Sequence, residues 1–334
     1  MTSQGASFQS DATRTLVIQI PCLNETTTLK IALDALPRHV PGFAAVKVLV
    51  IDDGSTDGTA ELAYTLGVDH VARHPVNRGL ATAFMTGLEA ALQMGADVIV
   101  NTDADNQYRA DDIPLLTQPI LDHRADMVIG ARPIDDTEHF SWVKKKLQRI
   151  GSWAVRVASR TRVHDAPSGF RAISREAAMR INVFGGYTYT LETIIQAGQC
   201  GLVVESVPIR TNADLRPSRL VKSIGSYVRR SLGTIARVLM IYRPLLVFSL
   251  LGTIPFIAGL AAGVRFLWYY VLGQGEGHVQ SVVFSGLCLT LAAIMLTIGL
   301  IADLISTNRK LSERILLHVR QLERQVESMR QQSS

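Results

Sequence analysis

The sequence predicts an α/β domain built on a parallel sheet, followed by two helices that span a membrane. Three observations predict it. From residue 15 onward, short β-branched runs alternate with amphipathic helical patterns. Polar clusters rich in Asp and Asn follow directly on several of those runs. Toward the C-terminus two stretches carry no charge, 21 residues from Pro244 to Val264 and 24 from Val279 to Ala302. Each is long enough to cross roughly 30 Å of hydrocarbon as a helix.

The chain opens on a polar segment, residues 1–14, with no apolar h-region, which reads as a flexible tail and not a signal peptide. TLVIQI (15–20), VKVLVI (46–51), DHVAR (69–73), DVIVN (97–101) and DMVIG (126–130) then read as strands. Helical patterns fall between them near 25–36, 57–66, 78–94 and 111–122. This alternation implies a sheet covered by helices on both faces, and such sheets bind ligands outside the carboxyl ends of their strands.

Three polar clusters sit at such ends: PCLNE (21–25), DDGSTDGT (52–59) and DADNQ (103–107). Each alone has a plain explanation. Ser55 and Thr56 suit a turn or helix cap, and an exposed acidic loop accounts for Asp103 and Asp105. Their coincidence at one edge carries more information. Asp103 and Asp105 lie within reach of one ion, and carboxylates suit a hard divalent cation such as magnesium or manganese. With no His or Cys nearby, a structural zinc is disfavoured.

The net charge of +5 is localised. Seven Lys or Arg lie between Thr211 and Arg243 against one acid, Asp214, and Arg309, Lys310 and Arg314 follow the second apolar run. The intervening LGQGEGH has neither Lys nor Arg, so the positive-inside rule puts both flanks, and the N-terminal domain, in the cytoplasm. Basic residues hard against a span face anionic lipid; the soluble portion shows no aromatic–basic interleaving, which argues against nucleic acid. Cys22, Cys200 and Cys288 are odd in number and widely spaced, with no disulfide framework. From Ser218 to Tyr242, Leu220, Ile224, Tyr227, Val228, Leu232, Ile235, Val238 and Leu239 recur at helical spacing, the pattern of a helix lying in the membrane interface. In the tail, Leu311, Ile315, Val319, Leu322, Val326 and Met329 recur at three or four, which fits a short helical bundle between subunits.

PCLNE, VLVIDDGSTDGT, NRGLATAFMTG, NTDADNQ and APSGFRAI, five motifs in order across residues 15 to about 215, resemble the family 2 glycosyltransferases. More narrowly they resemble the polyprenyl-phosphate glycosyltransferase branch, including its bacterial two-span members. The resemblance implies an A-type glycosyltransferase fold, a Rossmann-like mixed and mainly parallel sheet, plus two C-terminal transmembrane helices. It divides the chain into a tail (1–14), a cytoplasmic catalytic domain (15–215), an interfacial helix region (216–243), the two spans (244–305) and a cytoplasmic C-terminal helix (306–334). It implies inverting transfer of a sugar from a nucleotide sugar, a UDP-sugar favoured, to a polyprenyl phosphate such as undecaprenyl phosphate. The setting is the cytoplasmic face of a bacterial inner membrane, among membrane lipids, with Mg2+ or Mn2+ and a homo-oligomer, a tetramer by family expectation.

Carried over residue by residue, the resemblance assigns donor binding to Pro21, Asn24, Glu25, Asp52, Asp53, Ser55, Asn77, Gly79 and Asp103. It assigns the metal to Asp105 and Gln107. Lipid-phosphate binding falls to Arg132, Lys145, Ser168, Arg216 and Arg219, and catalysis to Asp103, Asp105, Arg132, Lys145 and Arg171. Lys145 is chosen from Lys144–Lys146, whose other reading is a basic face on lipid headgroups. Asp165, Ser168, Gly169, Phe170 and Arg171 match a family turn from which Ala166-Pro167 departs, and Tyr189 and Glu192 match a following helical element. Pro217 and Arg219 depart from the family's Gly and Lys after Arg216. The rival functions are direct transfer to a polysaccharide, which the two spans disfavour, glycoside hydrolysis, which leaves the nucleotide motifs unexplained, and a non-catalytic membrane scaffold, which intact Asp103, Asp105 and Gln107 argue against.

Overall fold

The computed structural model describes residues 13–133, 165–181, 189–212, 239–273 and 279–332, with single positions at 156, 159, 161, 163, 183, 233, 236 and 237. The chain divides into two compact units, Met1–Leu232 and Gly233–Ser334.

In the first unit β1 (Thr15–Cys22), α1 (Leu29–Asp34), β2 (Ala45–Asp52), α2 (Thr59–Thr65), β3 (His70–Arg73), α3 (Leu80–Gln93) and β4 (Val98–Asn101) follow in strict alternation. Then come α4 (Ile113–Leu121), β5 (Met127–Ala131), β6 (Arg171–Ser174), α5 (Arg175–Arg180), α6 (Tyr189–Gln199) and β7 (Val204–Pro208). The seven described strands form one sheet in the order β3-β2-β1-β4-β6-β5-β7. Residues 16–22 of β1 and all of β4 are buried, which is why both read as near-continuous apolar runs, with Gln19 and Asn101 as the polar exceptions, and not as alternation. Leu16, Ile18 and Ile20 of β1 cluster with Val48 and Val50 of β2 and with Leu29 and Leu33 of α1. On the other face α3 packs against β1 and β2, burying Phe84 and Leu88. Each fully buried Leu or Ile contributes about 1.5–3 kcal/mol.

The sheet is mixed. β6 runs antiparallel between β4 and β5, where the apolar runs alone implied only parallel neighbours. Its register sets Arg171 opposite both Asn101 and Ile129. The start of β6 therefore lies at the same edge as the end of β4, and residues 165–171 are delivered beside the loop after Asn101.

That loop is fastened from the far side of the sheet. Arg109 N–H donates to the Arg210 carbonyl (3.3 Å) and Asn212 N–H to the Gln107 carbonyl (2.8 Å). The wholly buried Asp112 accepts from Arg210 N (2.7 Å) and from its Nε (2.9 Å). Burial alone would raise the Asp112 carboxyl, but the hydrogen bonds and charge of Arg210 outweigh it and hold the carboxyl below the usual carboxylate range. A depressed pKa adds stability that is present above the unfolded value, about 3.9, and is lost as pH falls through the folded one. Asp112→Asn is therefore expected to lower the melting temperature at pH 7, and the gap from wild type should narrow as the pH drops below about 4.

The second unit holds α7 (Pro244–Val271) and α8 (Val279–Gln332). Pro244–Val271 and Val279–Asn308 are long and apolar enough to cross a membrane. Leu250, Ile254, Val283 and Leu287 face outward, which suits lipid and not water. Small residues sit between the two helices: a Cβ on Gly259 would lie 3.0 Å from Cys288 Cβ, and Ser285 Oγ donates to the Gly259 carbonyl (2.7 Å). The second span and the C-terminal helix are one uninterrupted helix of 54 residues. Most of residues 216–243 lie outside the described residues.

Candidate active site

The carboxyl ends of β1 and β2 are tied by reciprocal bonds. Asn24 N–H donates to Ser55 Oγ and Thr56 N–H returns to Asn24 Oδ1, both at 2.9 Å. Glu25 N–H donates to Thr59 Oγ1 (2.9 Å), while its carboxylate accepts from Thr28 Oγ1 (2.7 Å). Asn24 occupies φ 55°, a conformation its short polar side chain tolerates. Pro21 is buried within β1, paired with Ile51. Asp52 is wholly buried, accepting from Ser55 N–H (3.1 Å), with Arg73 Nε 3.4 Å from its other oxygen.

Asp53 turns the other way. Its Oδ1 accepts from Arg78 N–H (2.9 Å) and lies 2.8 Å from His74 Nδ1, and its Oδ2 accepts from Gly79 N–H (2.8 Å). Because Gly79 caps α3, this carboxylate sits at the positive end of that helix. It pins the loop that presents Asn77 and Arg78, both exposed. His74 Nε2 lies 3.0 Å from Thr86 Oγ1 and ties the same loop to α3. Gly54 makes the approach possible: at φ +75°, a Cβ there would lie 2.5 Å from the Val76 carbonyl carbon and 2.6 Å from Asn77 N. Gly54→Ala is expected to cost about 2 kcal/mol or more, read as a melting temperature lower by at least roughly 4 °C.

Asp103 and Asp105 stand half-buried in the loop after β4. Gln107 N–H donates to Asp105 Oδ1 (3.2 Å), folding the loop back on itself. Burial first, then the charge of Asp105, push the Asp103 carboxyl up to about 7 against the pull of Arg132 and Arg171. A carboxyl raised by burial and by a neighbouring carboxylate is an arrangement that a hard divalent cation relieves. Among the described residues no group of three or more His, Cys, Asp or Glu is placed to hold a metal. A cation here would complete its shell from water and a bound diphosphate, as magnesium sites commonly do.

The basic side is built on Arg132, at the end of β5. Its Nε and Nη2 donate to the two oxygens of buried Asp165 at 2.7 and 3.1 Å, a bidentate pair with fixed geometry. Arg132 keeps 17 % of its side-chain surface exposed, Asp165 only 1 %.

Ser168 and Arg171 are both wholly buried, and the contacts of Arg171 are interior ones. Arg171 Nη1 donates to the Thr190 carbonyl (3.2 Å) and Thr193 Oγ1 (2.6 Å), Nη2 donates to the Ser168 carbonyl, and the guanidinium lies 5.3 Å from the Tyr189 ring centroid. Burial lowers its pKa. Arg171 thus staples the 165–171 turn to α6, an interior role that a charged residue rarely takes. Lys145, Arg216 and Arg219 lie outside the described residues, as do Lys144, Lys146, Pro217 and Ser218. Glu192 is half-exposed in the first turn of α6. Sequence reasoning passed over His74, Asn101 and Tyr108. The one signal was an Asn closing a buried apolar strand, where a polar side chain needs partners.

The glycosyl transferase family 2 model matches residues 17–181. Polyprenol monophosphomannose synthase from Mycolicibacterium smegmatis is 30% identical over 67% of this chain and 86% of its own length. Undecaprenyl-phosphate mannosyltransferase from Micrococcus luteus is 30% identical over 57% of this chain and 80% of its own. Among solved structures, glucosyl-3-phosphoglycerate synthase from Mycobacterium tuberculosis, crystallised with Mn2+, UDP-glucose and phosphoglyceric acid, shares the fold at a TM-score of 0.54. That likeness has 23% identity and covers 67% of this chain and 79% of that one. The chain belongs to glycosyl transferase family 2, in its polyprenyl-phosphate glycosyltransferase branch.

Proposed function

We propose that the chain transfers one sugar from a nucleotide sugar, a UDP-sugar in preference, to undecaprenyl phosphate at the cytoplasmic face of the membrane, with inversion at the anomeric carbon. The observation that carries the reading is the meeting of an acidic, oxygen-only loop (Asp103, Asp105) with a rigid cation (Arg132) at the carboxyl edge of the sheet. Two apolar helices on the same chain suit a lipid acceptor.

The phosphate oxygen of the lipid is already anionic near neutral pH, so it attacks the anomeric carbon without a strong base. The new bond is C1–O–P. The bond that breaks joins C1 to the diphosphate, which leaves with the electron pair. Asn24, Asp52 and Ser55 line the donor's nucleotide end, Asp53 holds the Asn77–Gly79 loop against it, and Asp103 faces the sugar. Asp105 and Gln107 would hold a divalent cation, Mg2+ or Mn2+, that neutralises charge on the leaving diphosphate. Arg132, kept in place by Asp165, meets the lipid phosphate, with Lys145, Arg216 and Arg219 as further cations. Ser168 and Arg171 act through the turn they hold. The rate then comes from positioning and fixed charge, and little from proton transfer.

The test uses the purified full chain in detergent with radiolabelled nucleotide sugars and Mn2+. Label should move into the organic extract with undecaprenyl phosphate present and stay in the aqueous phase without it. Label that stays aqueous for every donor removes the reading.

A further inference from the structure

We propose that Asn101 and Tyr108 are positioning residues for Asp103, acting through the Gly169 peptide that they grip from both sides. The inference rests on the proposed function for what Asp103 does, but not for how it is held.

Asp103 packs directly on Gly169. A Cβ built there would lie 3.1 Å from both Asp103 carboxylate oxygens and 3.1 Å from Tyr189 Oη. The position of this peptide therefore limits the space the carboxylate can occupy. The peptide is fixed at both polar ends. Gly169 N–H donates to Tyr108 Oη (3.1 Å), and the Gly169 carbonyl accepts from Asn101 Nδ2 (2.9 Å). The two gripping residues flank Asp103 in the chain, one at the end of β4 and the other five residues after the aspartate. The loop that carries the acid and the turn that backs it are one locked unit.

The lock has a defined polarity. Gln19 Nε2, from the neighbouring strand β1, donates to Asn101 Oδ1 (2.9 Å). Asn101 must therefore present its amide protons the other way, to the Gly169 carbonyl and to Tyr189 Oη (3.1 Å). Asn101 is wholly buried with both polar side-chain atoms partnered, and leaving either without a partner there is costly. That cost makes the network a strong constraint on geometry. The two phenols are held by stacking, Tyr108 on Phe170 with centroids 5.1 Å apart and Tyr189 on Phe84 at 4.1 Å. Nothing in this arrangement needs Asn101 or Tyr108 to touch a substrate.

Tyr108→Phe keeps the stack on Phe170 and removes the acceptor for Gly169 N–H. Gly169→Ala keeps Tyr108 and pushes a methyl against the carboxylate. Both are measured in the full chain, for turnover with undecaprenyl phosphate and a UDP-sugar, for UDP binding with Mn2+ by calorimetry, and for melting temperature. Turnover should fall roughly tenfold or more, while the dissociation constant for UDP stays within about twofold. A double-mutant cycle supplies the decisive contrast. Introduced into Asp103→Asn, Tyr108→Phe should have little further effect on turnover, and its melting-temperature loss should differ from that in wild type by at least roughly 2 °C. Turnover near wild type in both single variants, UDP binding lost together with turnover, or losses that simply add across the cycle would each overturn the inference. A wild-type protein that makes no glycolipid defeats the proposed function instead, and the melting-temperature cycle then decides the positioning claim by itself.

Discussion

Asp105→Ala is expected to lower sugar transfer by roughly 10³-fold or more, which corresponds to about 4 kcal/mol of lost transition-state stabilisation. The size follows from what the carboxylate faces. Asp105 is half-buried in the loop after β4 and takes its local hydrogen bond from Gln107 N–H. Its larger task would be to hold the charge that offsets a departing diphosphate. The loop itself is held by Asn212 and Arg109, so the variant should fold and melt within a few degrees of wild type. Removing divalent cations with a chelator should reproduce the loss in wild type and change the variant little. A variant that transfers sugar at a near wild-type rate would show that Asp105 holds no essential metal.

The second large effect is on stability. Arg132→Met should destabilise the catalytic unit by about 3–5 kcal/mol, because it leaves the Asp165 carboxylate buried without its bidentate partner. Asp165 is almost fully enclosed, and the Arg132 backbone N–H that stays 3.3 Å from its Oδ2 in the variant brings no charge. The control is the double variant Arg132→Met/Asp165→Leu, which removes both charges and should recover much of the loss. Arg132→Lys keeps a charge but not the fork, and should fall between them. Thermal melts in detergent order the four proteins. A double variant no more stable than Arg132→Met would mean that the pair is not what holds this corner together.

Much of the fold was legible because parallel strands buried on both faces write themselves as continuous apolar runs. LVIQI, VLVI and VIV in β1, β2 and β4 left little choice, and the amphipathic pattern of α3 fixed its buried face. β6 was not legible as a strand. Arg171–Ser174 is only four residues long, opens on a charged residue and reads as part of a glycine turn. Its place between β4 and β5 is decided by pairing with strands about 40 to 70 positions earlier, and local pattern carries no record of that.

The site divides in the same way. Clusters at strand ends pointed to the carboxyl edge, since the topology of such sheets puts ligands there. What each side chain does was harder to read. Asp53 is occupied by backbone donors about 25 positions along the chain, and nothing adjacent to DDGS announces them. The resemblance gave Arg171 a place in catalysis, and nothing in its own stretch of sequence announces that it is buried, which arginine rarely is. Its burial depends on Thr190, Thr193 and the Tyr189 ring, all brought by a later helix. Arg132 and Asp165 find each other across 33 residues. In each case the chemistry was visible as a residue type, and the partner was set by packing.

The central claim is that one sugar passes to a lipid phosphate. Mass spectrometry of the lipid extract tests it most directly, after incubation of the purified full chain with undecaprenyl phosphate, Mn2+ and a panel of UDP- and GDP-sugars. The account predicts one new species, the polyprenyl phosphate carrying a single sugar, from at least one UDP-sugar and absent when the cation is removed. No glycolipid from any donor, or sugar found only in a polymer or as free monosaccharide, would contradict it.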